Sequence, residues 1–334
     1  MKKLKVGLLG GGSWGTAVAS LVAKNTEVSL WARDVATVNE INQKHTNKKY
    51  LPDAVLPHNL HAHSEIEAVV SGADVLVMGV PSNSFRDVLK NIKPHVRPWV
   101  PVVSLTKGLE KDSDLRMTQI VQQELPGHPV GVLTGPNLAR EIMAGQAAAS
   151  VIAMNDANVV GELQKIFNSG LFRVYTNDDI VGCELGGVLK NIIAIAVGMG
   201  VGLGAGDNTR SALITRGLSE VTRLGVALGG RAETFAGLTG MGDMLATCIS
   251  PQSRNHQVGV ALGQGRNIDD IIADMVMVAE GVKSAPTVMK LAKKHDVDMP
   301  IARDVANVIS GCQTPMQAFQ GLLKTMAGAE SEPG

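Results

Sequence analysis

Lys190 stands nearly alone as a charge inside the apolar stretch 182–201. A lysine placed there loses hydration, and its pKa falls from ~10.4 towards the range useful for proton transfer. It is a candidate acid for protonating a ketone oxygen, although a lysine at a domain edge can also snorkel its ammonium out to water. Lys107 follows the apolar run 100–105 in Thr106-Lys107-Gly108, which puts a charge at the carboxyl end of a strand. Two lysines meeting at one place would suit an anionic substrate. Gln252-Ser253-Arg254-Asn255 offers a guanidinium fork and an amide donor for phosphate oxygens where a helix begins, with Ser253 equally suited to cap that helix. Gly240-Met241-Gly242-Asp243 is a second short polar cluster just upstream.

Such groups need elements to hold them. Gly10-Gly11-Gly12-Ser13-Trp14-Gly15 is a G-x-G-x-x-G run directly behind the apolar segment Leu4-Lys5-Val6-Gly7-Leu8-Leu9. It reads as strand, tight turn and helix: Gly10 for the turn, Gly12 for backbone approach to a pyrophosphate, Gly15 for close packing of a helix over 16–24. On its own a glycine-rich turn is common. The strand 27–31, followed by a helix that Asp34 can cap, completes a unit of the length a dinucleotide site requires. Residues 45–60 read as loop and 60–63 as a weak strand. Then come a helix 65–70, a strand 74–78 whose end brings Pro81 and Ser82 to the ligand edge, a helix 84–93 and the strand 100–105. A helix 113–124, a strand 130–133 ending at Gly135-Pro136-Asn137, a strand 151–153, a helix 157–167 and a strand 172–175 follow.

Beyond 178 the strand pattern stops and helical patterns take over, at 182–201, 209–228, 255–262, 268–275, 285–295 and 302–309. Gly198, Gly200, Gly202, Gly204 and Gly206 alternate in a manner unlike a regular helix, and are expected to mark an exit where backbone closely approaches another segment or a ligand. The expected architecture is therefore an α/β Rossmann-type doubly wound sheet over 1–178, an all-α domain over 179–326 and a disordered tail at 327–334.

Composition excludes several classes. Lys plus Arg and Asp plus Glu each number 31, so no net field favours nucleic acid or an anionic membrane. The three cysteines, Cys183, Cys248 and Cys312, are widely spaced, as expected of buried small hydrophobes in a reducing, cytoplasmic compartment. The uncharged run 191–206 is too short and too glycine-broken for a bilayer span, and reads as a core helix. His58, His61 and His63 lack an accompanying carboxylate pattern, so no metal is expected.

Four segments occur in order: Gly10-Gly11-Gly12-Ser13-Trp14-Gly15-Thr16-Ala17, Thr106-Lys107-Gly108-Leu109-Glu110, Gly135-Pro136-Asn137 and Gly187-Val188-Leu189-Lys190-Asn191. Later come Ala212-Leu213-Ile214-Thr215-Arg216-Gly217, Gly242-Asp243, Gln252-Ser253-Arg254-Asn255 and Val278-Ala279-Glu280-Gly281. Together they resemble the bacterial NAD(P)-dependent glycerol-3-phosphate dehydrogenase family over nearly the whole chain. The resemblance implies interconversion of dihydroxyacetone phosphate and sn-glycerol 3-phosphate for phospholipid synthesis. Lys190 matches the family's catalytic acid/base, and Lys107 a position touching both substrate and cofactor. Asn191 and Asp243 would orient Lys190 and the hydroxyl groups, with Thr247 assisting. Arg254 and Asn255 would hold the phosphate, and Gly135, Asn137 and Ser253 fall at substrate positions. Gly10, Gly12, Ser13, Trp14, Gly15, Arg33, Ala139, Val278 and Glu280 match cofactor positions, joined by Lys107 and Arg254. Asn137 stands where serine or threonine is usual in the family, and Asp207 also departs from the family pattern.

Arg33 suits a 2′-phosphate and Asp34 a free ribose hydroxyl, so both NADP(H) and NAD(H) are expected, with NADPH favoured if Asp34 is instead the N-cap of the next helix. Other partners expected are a phosphorylated small molecule and a second copy of the chain, as a homodimer. Two further readings share some of these residues: a reductase of small unphosphorylated oxo acids, and a non-catalytic dinucleotide sensor. The sensor would need neither Lys190 nor Lys107.

Overall fold

The computed structural model describes residues 4–275 and 279–324. Val278 and the tail at 327–334 lie outside the described residues. The chain forms two compact units, one from residues up to Glu110 together with Leu115–Ile180, the other from Lys111–Asp114 and residues from Val181 onward.

The first unit is built on eight strands: β1 Lys5–Leu9, β2 Glu27–Trp31, β3 Leu60–His63, β4 Val75–Met78, β5 Val102–Ser104, β6 Val130–Thr134, β7 Ala148–Met154 and β8 Phe172–Asn177. Their order is β3-β2-β1-β4-β5-β6-β7-β8. Neighbours from β3 to β6 are parallel, β7 runs antiparallel to β6, and β8 is parallel to β7. Because strand side chains alternate, the central strands feed two cores. Val6, Leu8, Val75, Val77 and Val103 pack on one face, against the helices Ser13–Val22 and Ala157–Phe167. Leu9, Leu76, Met78 and Val102 pack on the other, against Phe85–Ile92 and Met117–Glu124. The apolar strands are thus buried on both sides, as a doubly wound sheet demands.

Element boundaries differ where capping intervenes. The helix after the glycine run starts at Ser13, three residues before the expected start at 16, because Gly12 is still extended and its carbonyl accepts from Thr16 N at 2.9 Å. The helix expected over 113–124 starts at Met117, since Asp114 is left-handed (φ 60) and Arg116 N donates to Gln119 Oε1 at 3.0 Å.

The second unit is helical around Ile180–Gly202, 23 residues long. That length and apolarity would suffice to cross a membrane, but 94% of its most apolar window is buried inside the protein, as in a core helix. Its alternating glycines require a correction. Gly198, Gly200 and Gly202 do not form an irregular exit; they lie within the helix. Gly198 and Gly202, one turn apart, face the helix Arg254–Gly263. A Cβ would fall 2.3 Å from His256 O at Gly198 and 2.4 Å from Val260 O at Gly202. Reciprocally, a Cβ at Gly259 would fall 2.2 Å from Ile195 O, and one at Gly263 2.4 Å from Met199 O. Close backbone approach is what the glycines serve, and tertiary packing overrides their poor helix propensity.

Asp207 opens the helix Asp207–Ala227, where a first-turn acid complements the helix dipole, and it pairs with Arg210 one turn on. Elements not expected from the sequence include the short helices Ala139–Met143 and Ala232–Ala236, a π turn at Leu238–Gly242, the helix Asp243–Ile249 behind it, and the helix Pro315–Lys324. Cys183 and Cys248 are buried, but Cys312 is exposed in the turn before that last helix.

Candidate active site

In the first unit the sequence-predicted residues gather at the carboxyl ends of β1, β2, β5 and β6, the edge where ligands bind open α/β sheets. Gly10 has φ 130, and a Cβ there would lie 2.5 Å from Gly79 O, so no other residue fits the turn. At Gly15 a Cβ would fall 2.0 Å from Gly10 O, the close helix–strand packing the motif requires. Gly12 is different: a Cβ there would meet nothing within 4 Å. Its surroundings are open, beside the first backbone amides of the helix that carries Ser13 and Trp14. The Trp14 ring packs edge-on to Phe172 at 6.2 Å, and its Nε1 is buried without a hydrogen-bond partner among the described residues. Open space at the glycine turn, orphan helix amides and an unsatisfied indole donor fit a dinucleotide.

Arg33 is exposed just past β2. Asp34 is the N-cap of the next helix: Oδ1 accepts from Ala36 N at 3.0 Å and Oδ2 from Thr37 Oγ1 at 2.9 Å. The Thr37 hydrogen bond, with that from Ala36, holds its pKa below the usual carboxylate value. Lys107 Nζ donates to Gly135 O at 3.0 Å, joining the ends of β5 and β6. Asn137 Nδ2 donates to Ser150 Oγ at 3.0 Å, and its Oδ1 is buried without a hydrogen-bond partner among the described residues. Ala139 opens the short helix Ala139–Met143.

Two residues that sequence reasoning missed support this edge. Arg86 grips Glu110 with two bonds of 2.8 Å and Glu124 with one of 2.6 Å, anchoring the segment that carries Lys107. The bidentate bond to Glu110, reinforced by Glu124, raises its pKa further above the normal guanidinium value. Asn47 holds the glycine turn itself, with Nδ2 donating to Gly11 O at 2.9 Å. Neither partnership could be read locally, since the partners lie 24 and 36 residues away.

In the second unit Lys190, Asn191, Asp243, Thr247 and Asn255 are all buried, each less than a tenth exposed. Lys190 Nζ lies 3.0 Å from Asp243 Oδ1 and also donates to Thr247 Oγ1, which in turn donates to the Asp243 carbonyl at 2.6 Å. Desolvation alone therefore does not describe Lys190, because a buried carboxylate in contact favours its charged form. The π turn explains the pairing. Gly186 and Lys190 share one face of their helix, and a Cβ at Gly186 would fall 2.5 Å from Thr239 O. The turn seats on Gly186 and delivers Asp243 to Lys190, one helical turn further on.

Asn255 Oδ1 accepts from Gly281 N at 3.0 Å, and a Cβ at Gly281 would lie 2.8 Å from both Asn191 O and that same Oδ1. This ties the start of Arg254–Gly263 to the Asn191 backbone. Ser253 caps the helix, accepting from His256 N at 3.3 Å. Arg254 is solvent-accessible; surrounding protein lowers its pKa, and Glu280, at the start of Glu280–Lys294, opposes that shift. The buried Cys248 thiol is pushed up to about 12 by burial, so it stays protonated. Among the described residues no group of three or more His, Cys, Asp or Glu is placed to hold a metal ion, and His58 packs edge-on against His45.

Residues 5–160 match the model for the NAD-dependent glycerol-3-phosphate dehydrogenase N-terminus, and residues 179–320 that for its C-terminus. A glycerol-3-phosphate dehydrogenase (NAD(P)+) of Sphingopyxis alaskensis is 68% identical, covering 99% of this chain and 100% of its own. A Mycobacterium tuberculosis protein of the same description is 52% identical over 98% of this chain and 96% of its own. The crystal structure of glycerol-3-phosphate dehydrogenase from Coxiella burnetii superposes with a TM-score of 0.92 at 38% identity, covering 97% of this chain and 99% of that one.

Proposed function

The chain belongs to the NAD-dependent glycerol-3-phosphate dehydrogenase family, and from that premise we propose that it interconverts dihydroxyacetone phosphate and sn-glycerol 3-phosphate with NADP(H) or NAD(H), supplying glycerol phosphate for phospholipids. The observation that carries the reading is the buried Lys190–Asp243 ion pair, braced by Thr247. The nicotinamide, when bound, supplies the hydride for the C2 carbonyl.

Lys190 gives a proton to the oxygen at C2, and its charge stabilises that oxygen as negative charge develops. Asp243 keeps the ammonium charged and oriented. Thr247 fixes its direction, because the Thr247 hydroxyl hydrogen is committed to the Asp243 carbonyl and its oxygen must accept. The pair is internally neutral, so attraction for the phosphate falls to Arg254. Asn255 spends its carbonyl oxygen on Gly281, leaving the amide end as its donor for phosphate. Holding the phosphate away from C2 positions the carbonyl for reaction. Residues 1–178 carry the dinucleotide and 179–326 the substrate, and the protein acts as a cytoplasmic homodimer.

Absorbance at the reduced-nicotinamide band, with dihydroxyacetone phosphate and either NADPH or NADH, tests reaction, substrate and coenzyme together. Oxidation of NADPH, with slower oxidation of NADH, is expected. Turnover of an unphosphorylated oxo acid, with none of dihydroxyacetone phosphate, would overturn the reading.

A further inference from the structure

Asn47 sits between the helix Val35–Lys44 and β3, in a stretch that reads from sequence only as loop. It is 0% exposed. Its backbone carbonyl is held by Tyr50 N at 3.1 Å and Leu51 N at 2.8 Å. Both side-chain donor bonds point at the glycine turn: Nδ2 to Gly11 O at 2.9 Å and to Thr16 Oγ1 at 3.0 Å. Oδ1 is buried without a hydrogen-bond partner among the described residues, so the amide sits there at a cost.

The direction of the first bond has a geometric consequence. In a planar trans peptide the carbonyl and the following N–H point opposite ways, and the described chain has no cis bonds. Gly11 O turned inward onto Asn47 therefore turns Gly12 N–H the other way, away from Asn47, at a residue where even an added Cβ would meet nothing within 4 Å. The next peptide is fixed as well, since Gly12 O accepts from Thr16 N, whose side chain shares the Asn47 amide. With glycine on both sides, the Gly11–Gly12 peptide has little else to stop it flipping and presenting a carbonyl to an anion.

We infer that Asn47 is a positioning residue for dinucleotide binding: it locks the Gly11–Gly12 peptide so that Gly12 N–H donates to the pyrophosphate. The inference rests on the dinucleotide-dependent function proposed above.

Calorimetric titration of NADPH and NADH into wild type, Asn47→Asp, Asn47→Ala and Thr16→Val tests it. Asn47→Asp keeps the shape but sets an acceptor against Gly11 O. Its Kd should rise about tenfold or more, as expected for loss of a hydrogen bond to a charged group, with a smaller rise for Asn47→Ala and Thr16→Val. The factor should be the same for both coenzymes, which share the pyrophosphate, and KM for the coenzyme should rise more than kcat falls. Thermal melting without ligand identifies the variants that fold, and Thr16→Val keeps the test open if neither Asn47 variant does. Wild-type Kd in any folded Asn47 variant, or in Thr16→Val if neither folds, overturns the inference. Wild-type protein that binds neither coenzyme overturns the dinucleotide reading beneath it.

Discussion

Lys190 and Asp243 form an ion pair, Nζ to Oδ1 3.0 Å, with side chains only 6% and 3% exposed. Such a pair holds geometry more than it adds stability, and breaking one side leaves the other charge stranded.

Asp243→Asn should therefore lower stability to urea by about 3–5 kcal/mol, and Lys190→Met added to it should recover much of the loss. Lys190→Ala should lower kcat about a thousandfold while leaving NADPH affinity, read by calorimetry, near wild type. Wild-type turnover in that variant would remove Lys190 from the mechanism.

Gly186→Ala tests how Asp243 is delivered. The new Cβ would press on Thr239 O, a backbone atom 2.5 Å away, and lift the π turn. An activity loss larger than the accompanying destabilisation of about 1–3 kcal/mol is expected, with coenzyme affinity unchanged.

The glycine stripe between Ile180–Gly202 and Arg254–Gly263 predicts opposite outcomes for one chemical change. Gly259→Ala should destabilise by about 1–3 kcal/mol, because its Cβ meets Ile195 O at 2.2 Å. Gly161→Ala, in a helix with nothing within 4 Å, should stabilise by about 0.5–1 kcal/mol. Urea melts of both variants decide it.

Glu220 is buried and caps the helix Pro300–Ile309, accepting from Ile301 N at 2.8 Å and Ala302 N at 3.2 Å. Burial pushes its pKa up to about 7 from 4.5, against the two backbone bonds and Arg223, with Asp298 adding to the rise. The folded state thus holds this proton more tightly than the unfolded chain. The resulting stabilisation is fully present below about pH 4.5 and is lost as pH rises through about 7, on the order of 3 kcal/mol. Urea unfolding of wild type and Glu220→Gln across pH 5 to 8, a range spanning the raised pKa, should show a flatter dependence in the variant.

Arg33→Ala should raise KM for NADPH about tenfold and change that for NADH little, because both Asp34 oxygens are engaged in capping. Equal effects on the two coenzymes would show that Arg33 does not read the 2′-phosphate.

Much was legible in the chain itself. The strands β1, β4 and β6 announce themselves because every residue of a doubly covered strand faces a core, which leaves a continuous apolar run. Gly10 and Gly15 were readable because turn geometry and close packing are demands of one short segment. Lys190 stood out because a charge in an apolar helix is conspicuous without any knowledge of its partner.

What surrounds those residues was not legible. Gly198 and Gly202 read as part of an irregular exit because the helix Arg254–Gly263 they face is distant in sequence, and only its Gly259 and Gly263 explain them. Asn47, Arg86 and the π turn carry no local pattern, since each acts on a segment far along the chain. The sequence by itself determined the strands, the glycine turn and the lysine buried in a helix, all consequences of local backbone geometry and hydrophobic period. Only the tertiary structure decided which carboxylate meets that lysine and which amide holds that turn, because pairings between distant segments depend on how helices and loops pack against one another.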